Sequence, residues 1–199
     1  MVKSIFITGL GGQGIVTLAN LIAEQASESG LKVSLFNARG MAQRGGRVTS
    51  EIRMTGDPKL DFGARISAGG ADILMGMEVG ETINSLSFLK ENGIAVLLND
   101  SYIPTEMILK KEPYPSFEQA KALFYSRTKS VYAIDEPVAP YNIFLLGVFI
   151  SVVPAISDDL KLYSRETMEK AIARKLKRGI EENLNTFRLG YEYGLRRNA

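Results

Sequence analysis

The sequence predicts an α/β fold, a three-layer Rossmann-like domain with a mixed, mostly parallel sheet and a C-terminal helical segment. Three observations carry this. Short β-branched apolar runs alternate with stretches of helical period from Ser4 to Ile134. A glycine-rich turn joins the first apolar run directly to an amphipathic helix. The chain beyond Tyr141 keeps a helical period without strand signals. No linker sets that tail apart, so residues 1–199 are expected to form a single domain.

The elements follow in order. Ser4–Thr8 is a buried strand and Gly9–Gly14 a tight loop. The stripe Ile15, Leu18, Ala19, Ile22, Ala23, Ala26 predicts a helix that stops at Gly30. Lys32–Phe36 is the second strand, which completes a β-loop-α-β unit of the kind that builds parallel sheets. Asn37–Gly46 is expected to be a loop rich in Gly and Arg. Arg47–Met54 alternates Val48, Ser50, Ile52 and Met54 against Thr49, Glu51 and Arg53, a strand pattern, and Thr55–Pro58 is a turn. The hairpin-like region around Gly56 predicts that at least one strand runs antiparallel. Ala71–Met77 and Ile94–Leu98 are strands, and Val79–Lys90 is predicted helical up to Asn92-Gly93. Pro104–Pro115 is loop-like; Phe117–Ser126 is a helix and Ser130–Ile134 a strand. Tyr141–Val153 is an apolar helix, and Ser164 to about Tyr193 forms one long helix or two short ones, opened by the start signal Ser164-Arg165-Glu166-Thr167.

Composition narrows the chemistry. The 199 residues are 45% hydrophobic and 23% charged, and the formal net charge of +2 calls for no nucleic-acid or membrane partner. Charge is uneven: from Lys161 onward there are 10 basic and 5 acidic residues. That tail either faces an acidic subunit or anionic cofactor, or is a solvated helix. The chain has no Cys and no His. Disulfides, Cys-ligated iron–sulfur clusters, thiolate zinc sites, histidine general bases and Ser-His-Asp triads are thereby excluded. The apolar stretch Ile143–Ala155 is too short to span a bilayer, and Met1–Ser4 runs straight into the first strand without a leader, so a cytoplasmic location is expected.

Two loops could carry function. Gly9-Leu10-Gly11-Gly12-Gln13-Gly14 fits G-x-G-x-x-G between a strand and a helix, where glycines allow close approach of a phosphate to free N–H groups. An NAD site would add an acidic residue at the end of the second strand, but Phe36-Asn37-Ala38-Arg39 stands there. Asn37 could bond a hydroxyl and Arg39 a 2′-phosphate; alternatively the glycines only permit a close strand-to-helix turn. The second loop, Asn37–Arg47, holds Arg39, Arg44 and Arg47 among glycines and is expected at the same sheet edge, an anion cradle or a solvated surface. There is no Walker-type motif, and Gly56-Asp57-Pro58 is not a thiamine-diphosphate magnesium motif. Asp158-Asp159 and Glu181-Glu182 are chain neighbours that diverge on a helix, which makes them poor metal ligands.

Thr8–Gly14 followed by Ile15-Val16-Thr17-Leu18-Ala19, then Met41-Ala42-Gln43-Arg44-Gly45-Gly46 with Ser50 and Arg53, resembles the gamma domain of 2-oxoacid:ferredoxin oxidoreductases, of the indolepyruvate or pyruvate type. Asn142 with Leu146-Gly147, and Glu182-Asn183 with Phe187 and Gly190, extend the resemblance from about residue 4 to residue 190. Arg47 departs from it, standing where a small or apolar residue is expected.

The resemblance implies a non-redox subunit of an enzyme that oxidatively decarboxylates a 2-oxoacid with coenzyme A and reduces ferredoxin. Thiamine diphosphate, Mg and iron–sulfur clusters would be held by thiamine-diphosphate-binding and ferredoxin-like subunits, so this chain would hold none alone and be inactive alone. By carry-over, Gly9, Gly11, Gly12, Gln13 and Gly14 form one loop at a shared cofactor-facing interface, Gln43, Arg44, Gly45 and Gly46 the other, and Asn142 lies nearby. The alternative is a stand-alone Rossmann-type NAD(P)-binding oxidoreductase.

Overall fold

The computed structural model describes residues 1–40, 46–153 and 163–198. Six strands form one sheet: β1 (Lys3–Leu10), β2 (Lys32–Arg39), β3 (Arg47–Thr55), β4 (Ala71–Gly76), β5 (Leu89–Leu98) and β6 (Ser130–Ile134), in the order β2-β3-β1-β4-β5-β6. β1, β4, β5 and β6 pair in parallel, and β3 is antiparallel to both neighbours. Five strands therefore point the same way, and the α/β, mostly parallel mixed sheet holds.

The period-2 pattern of β3 decides its two faces. Val48, Ile52 and Met54 join Ile5 and Ile7 of β1 in one apolar core, and Thr49, Glu51 and Arg53 turn to the other side. The larger core lies under α1 (Ile15–Glu28), α5 (Tyr141–Val152), α6 (Arg165–Lys175) and α7 (Ile180–Asn198). The smaller core, with Phe6, Leu74, Ala95, Phe117 and Phe124, lies under α2 (Val79–Asn84) and α4 (Phe117–Arg127). Helix α5 is apolar on every side and buries Ile143 through Val152, as a helix enclosed by both sheet and α7 must.

Several expectations need correction. The antiparallel strand is β3, but its antiparallel neighbours are β1 and β2, which precede it, and not a strand beyond Gly56; Thr55–Pro58 instead opens an irregular crossing to β4. Asn37–Arg39 belong to β2, because they pair with Ser50, Thr49 and Val48. The helix expected over Val79–Lys90 ends at Asn84. There the buried Ser85 hydroxyl bonds back to the Glu81 carbonyl at 2.8 Å, Phe88 stacks on Phe6 at 4.4 Å, and Leu89 pairs with Ala71. Asn92-Gly93 is a left-handed kink inside β5, where the register with β4 shifts, rather than a helix stop. Pro104–Pro115 contains a short helix, α3 (Thr105–Lys110), that buries none of its residues. The tail is two helices, parted at the left-handed Gly179. Among the described residues no helix is long and apolar enough to cross a membrane.

Candidate functional site

β1 and β2 point the same way, so the glycine loop and the second loop leave the same carboxyl edge of the sheet. Their backbones meet there, where the Gly11 N–H donates to the Gly46 carbonyl at 2.9 Å; the second loop is itself closed at its base by the Gly40 N–H donating to the Arg47 carbonyl at 2.7 Å. Gln43, Arg44 and Gly45, with Met41 and Ala42, lie outside the described residues.

The glycines have separate causes. Gly14 sits at φ 79°, where L side chains are strained, and a Cβ on it would collide with the Asn142 amide. Gly12 sits at φ 98° with open space around it, exposed on the outer side of the loop. Gly14 is also the N-cap of α1. It supplies no side-chain cap, and the first turn of α1 carries no acidic residue, so the helix presents unneutralised N–H groups and positive potential outward. A cleft of about 340 Å³ lies before this end, lined by the loop, Val16, Thr17, Val48 and Arg39. Arg39 is exposed and has no ion-pair partner among the described residues.

Gln13 faces inward rather than into the cleft. Its amide oxygen accepts from the Leu10 N–H at 2.7 Å, and its nitrogen donates to the Met77 carbonyl at 3.2 Å and the Asp100 carboxylate at 2.8 Å. It therefore clasps the loop to the ends of β4 and β5. Asn142, the second residue of α5, donates to the Gly14 carbonyl at 3.4 Å, which joins α5 to the same loop. The structure thus brings Gly9, Gly11, Gly12, Gln13, Gly14, Gly46 and Asn142 together. Arg47, the residue that departs from the family pattern, turns beneath the rim. It donates to the Ser85 hydroxyl at 3.0 Å and lies 3.3 Å from the Glu81 carboxylate, whose pKa is raised by burial against the pull of Arg47.

Sequence reasoning missed Glu78. This fully buried carboxylate caps α2 through the Glu81 N–H at 2.9 Å, and accepts from the Tyr102 N–H at 3.2 Å and the Tyr114 hydroxyl at 2.7 Å. Burial and the adjoining carboxylate hold the Tyr114 phenol well above its ordinary pKa. Glu78 therefore pins the rim excursion that follows β5. The available signal was an acidic residue between an apolar strand and Val79-Gly80, a helix-capping position. The motif residues near the C-terminus are architectural. Phe187 is buried, and Gly147 and Gly190 let α5 and α7 touch backbone to backbone. The Asn183 amide ties down the Gly179 carbonyl at 2.7 Å.

Fold and rim together define an α/β domain with a glycine-rich loop at the carboxyl edge of its sheet, but without the geometry of a dinucleotide enzyme. β3 separates β1 from β2, and Asn37 at the end of β2 is engaged by the Ser50 hydroxyl at 2.5 Å. The NAD(P) alternative is accordingly set aside.

Comparison with known proteins agrees. The family model described as pyruvate ferredoxin/flavodoxin oxidoreductase matches residues 4–193, and the chain belongs to that family. It is 31% identical over 192 residues to the indolepyruvate oxidoreductase subunit IorB of Methanothermobacter thermautotrophicus, covering 94% of this chain and 95% of that one. It is 30% identical over 194 residues to the 2-oxoglutarate synthase subunit KorC of Methanocaldococcus jannaschii, covering 96% and 94%. Among solved structures, the gamma subunit of a keto/oxoacid ferredoxin oxidoreductase from Geobacter sulfurreducens superposes with a TM-score of 0.65 at 20% identity, covering 98% of this chain and 99% of that chain. The 2-oxoglutarate:ferredoxin oxidoreductase of Magnetococcus marinus, solved with 2-oxoglutarate, coenzyme A and succinyl-CoA bound, matches with a TM-score of 0.64 at 17% identity. The match covers 97% of this chain and 31% of that one.

Proposed function

We propose that this chain serves, as a single cytoplasmic domain over residues 1–199, as the non-redox gamma-type subunit of a 2-oxoacid:ferredoxin oxidoreductase, and that it is inactive alone. The observation that carries the reading is the uncapped amino end of α1 set beside two loops joined by the Gly11–Gly46 hydrogen bond. The chain's own residues fit a phosphate-bearing group such as coenzyme A: the uncapped N–H groups at the start of α1 as donors, Arg39 at the cleft without an ion-pair partner among the described residues, and Gly12 clear of side chains. They offer no thiolate to an iron–sulfur cluster. There is no Cys, and among the described residues no group of three or more His, Cys, Asp or Glu is placed to hold a metal ion. Thiamine diphosphate and the iron–sulfur clusters belong, in this reading, to a thiamine-diphosphate-binding subunit and a ferredoxin-like subunit.

In the assembled enzyme the oxoacid loses its carboxylate as carbon dioxide, its acyl group passes to the coenzyme A thiol, and the electrons pass to ferredoxin. Gly11, Gly12 and Gly14, with Gly46, face the shared interface, Gly9, Gln13 and Asn142 hold the loop from behind, and the family pattern assigns Gln43, Arg44 and Gly45 to the same interface. The backbone N–H groups orient an anionic group, Arg44 pairs with carboxylate or phosphate, and Gln13 and Asn142 keep the loop from moving.

The test is reconstitution with both partner subunits, with ferredoxin reduction followed over a panel of 2-oxoacids. Arg39→Gln is expected to raise the KM for coenzyme A about tenfold or more while the complex still assembles. Unchanged kinetics would defeat the reading. Arg44→Ala is expected to weaken the same interaction by about 1.5–3 kcal/mol.

A further inference from the structure

The face of the sheet that carries the smaller core is covered unevenly. There α2 and α4 pack chiefly on β1, β4, β5 and β6, while β2 and β3 rest on α1 of the opposite face. The crossing from β3 to β4 covers part of the remainder through Arg65 and Ile66, which both donate to Glu51. A hollow is left between that crossing and the base of the second loop. Its cause is the register: Ala38 pairs with Thr49, and the Gly40 N–H closes on the Arg47 carbonyl. Small residues thus lie side by side across β2 and β3, with Arg47 beyond them at one end and Glu51 with Arg65 at the other. The resulting cleft has a volume of about 310 Å³, and the stacked rings of Phe6 and Phe88 form its inner wall.

Thr49 points to an occupant. It is 7% exposed and lines this cleft, yet its hydroxyl meets no hydrogen-bond partner among the described residues. A hydroxyl this far withdrawn from water normally has a partner, and here the chain supplies none. The charge around it is cationic. Arg39, Arg47 and Arg65 border the cleft, and both oxygens of its buried acid, Glu51, are already engaged. Arg47 leans on Glu81 at 3.3 Å, and Arg39 has no ion-pair partner among the described residues.

The phenyl wall suits a flat apolar body, and the guanidinium groups with the Thr49 hydroxyl suit a carboxylate. We propose that this cleft binds a small arylalkanoic acid of about the size of phenylacetate, its carboxylate toward Thr49 and the arginines and its ring against Phe6 and Phe88. The site is independent of the glycine-loop reading. It lies on the other face of the sheet, and Arg39 alone of its lining residues also borders the glycine-loop cleft. Arg39 is therefore left unchanged in the test.

The experiment titrates the full-length chain with phenylacetate, phenylacetamide and acetate by calorimetry and by amide chemical shifts. Phenylacetate is expected to bind one to one with a Kd on the order of 0.1–1 mM, shifting the amides of Ala38 and Thr49. Phenylacetamide, which lacks the charge, and acetate, which lacks the ring, should each bind at least about tenfold more weakly. Thr49→Val should weaken phenylacetate about fivefold or more with no fall in the urea midpoint, because its hydroxyl has no partner to lose. Ala38→Leu fills the hollow and should abolish binding. No saturable binding, equal affinity for phenylacetate and phenylacetamide, or parental affinity in both variants would each overturn the proposal. So would a lower urea midpoint for Thr49→Val, which would make the hydroxyl structural. If phenylacetate does not bind and Ala38→Leu instead blocks assembly with the partner subunits, the cleft receives an acidic side chain of a partner and the proposal falls.

Discussion

Two buried carboxylates hold two irregular excursions to the same face of the sheet, and they do it differently. Glu51 on β3 is 1% exposed; it accepts from Arg65 Nε at 2.8 Å and from the Ile66 N–H at 2.5 Å, and so fixes the crossing from β3 to β4. Arg65 in turn lies 4.5 Å over the Phe36 ring. Glu78 is 0% exposed and has no ion-pair partner among the described residues; two backbone N–H groups and a phenol meet it instead. The first carboxylate borrows a cation whose side chain is 62% exposed and can return to water. The second depends wholly on neutral donors, three of them on one fully buried carboxylate. Removing it should therefore do more damage, although no salt bridge is lost.

The largest effect expected is from Glu78→Ala, which orphans three donors at the rim: a loss of about 3 kcal/mol in urea unfolding, with enhanced hydrogen exchange confined first to residues 101–116. Glu51→Ala should lose about 2 kcal/mol, because Arg65 rehydrates and only the Ile66 N–H is left without its acceptor. A larger loss for Glu51→Ala than for Glu78→Ala would reverse the ranking. Tyr114→Phe removes one of the three donors to Glu78 and should lose about 1 kcal/mol by the same measurement.

The smallest effect belongs to a third carboxylate, Glu169. It faces two cations, Arg188 at 2.8 Å and Arg165 at 3.0 Å, but sits at the surface. The Arg188 hydrogen bonds, with Arg165 assisting, hold its pKa down at about 2 from 4.5. A depressed acid stabilises fully above its unfolded pKa, so this contribution is complete above pH 4.5 and fades as pH falls toward about 2. With Arg165 and Arg188 about two-fifths exposed, solvent screening leaves about 1 kcal/mol or less. Unfolding of Glu169→Gln should lack that acid-side slope. A slope identical to the parent's would show the pair to be inert.

The sequence made the elements legible wherever a period ran uninterrupted. The stripe of α1, the alternation of β3 and the Ser164 start signal all stand in the structure, the last as a reciprocal Ser164–Thr167 cap. The errors fall where a distant partner overrides the local pattern. Val79–Lys90 has helical period, yet Phe6 and Ala71 take Phe88 and Leu89 away. Order in the sheet was not legible either, since nothing in a β-loop-α-β unit announces that a third strand will wedge between the first two. At the rim, the glycines could be read because left-handed backbone and crowding exclude side chains at Gly14. The direction of Gln13 could not, because its partners Met77 and Asp100 lie more than sixty residues away along the chain.

The close crossing of α5 and α7 bears on how this protein is made. A side chain at Gly147 would strike the backbone of Phe187 and Tyr191, and one at Gly190 the backbone of Phe144, so the final 19-residue helix lies directly against the most water-averse segment of the molecule. That cover is translated after the segment it shields. Until it arrives, a nascent chain carries an apolar helix with one face unshielded, a surface open to aggregation or to chaperones.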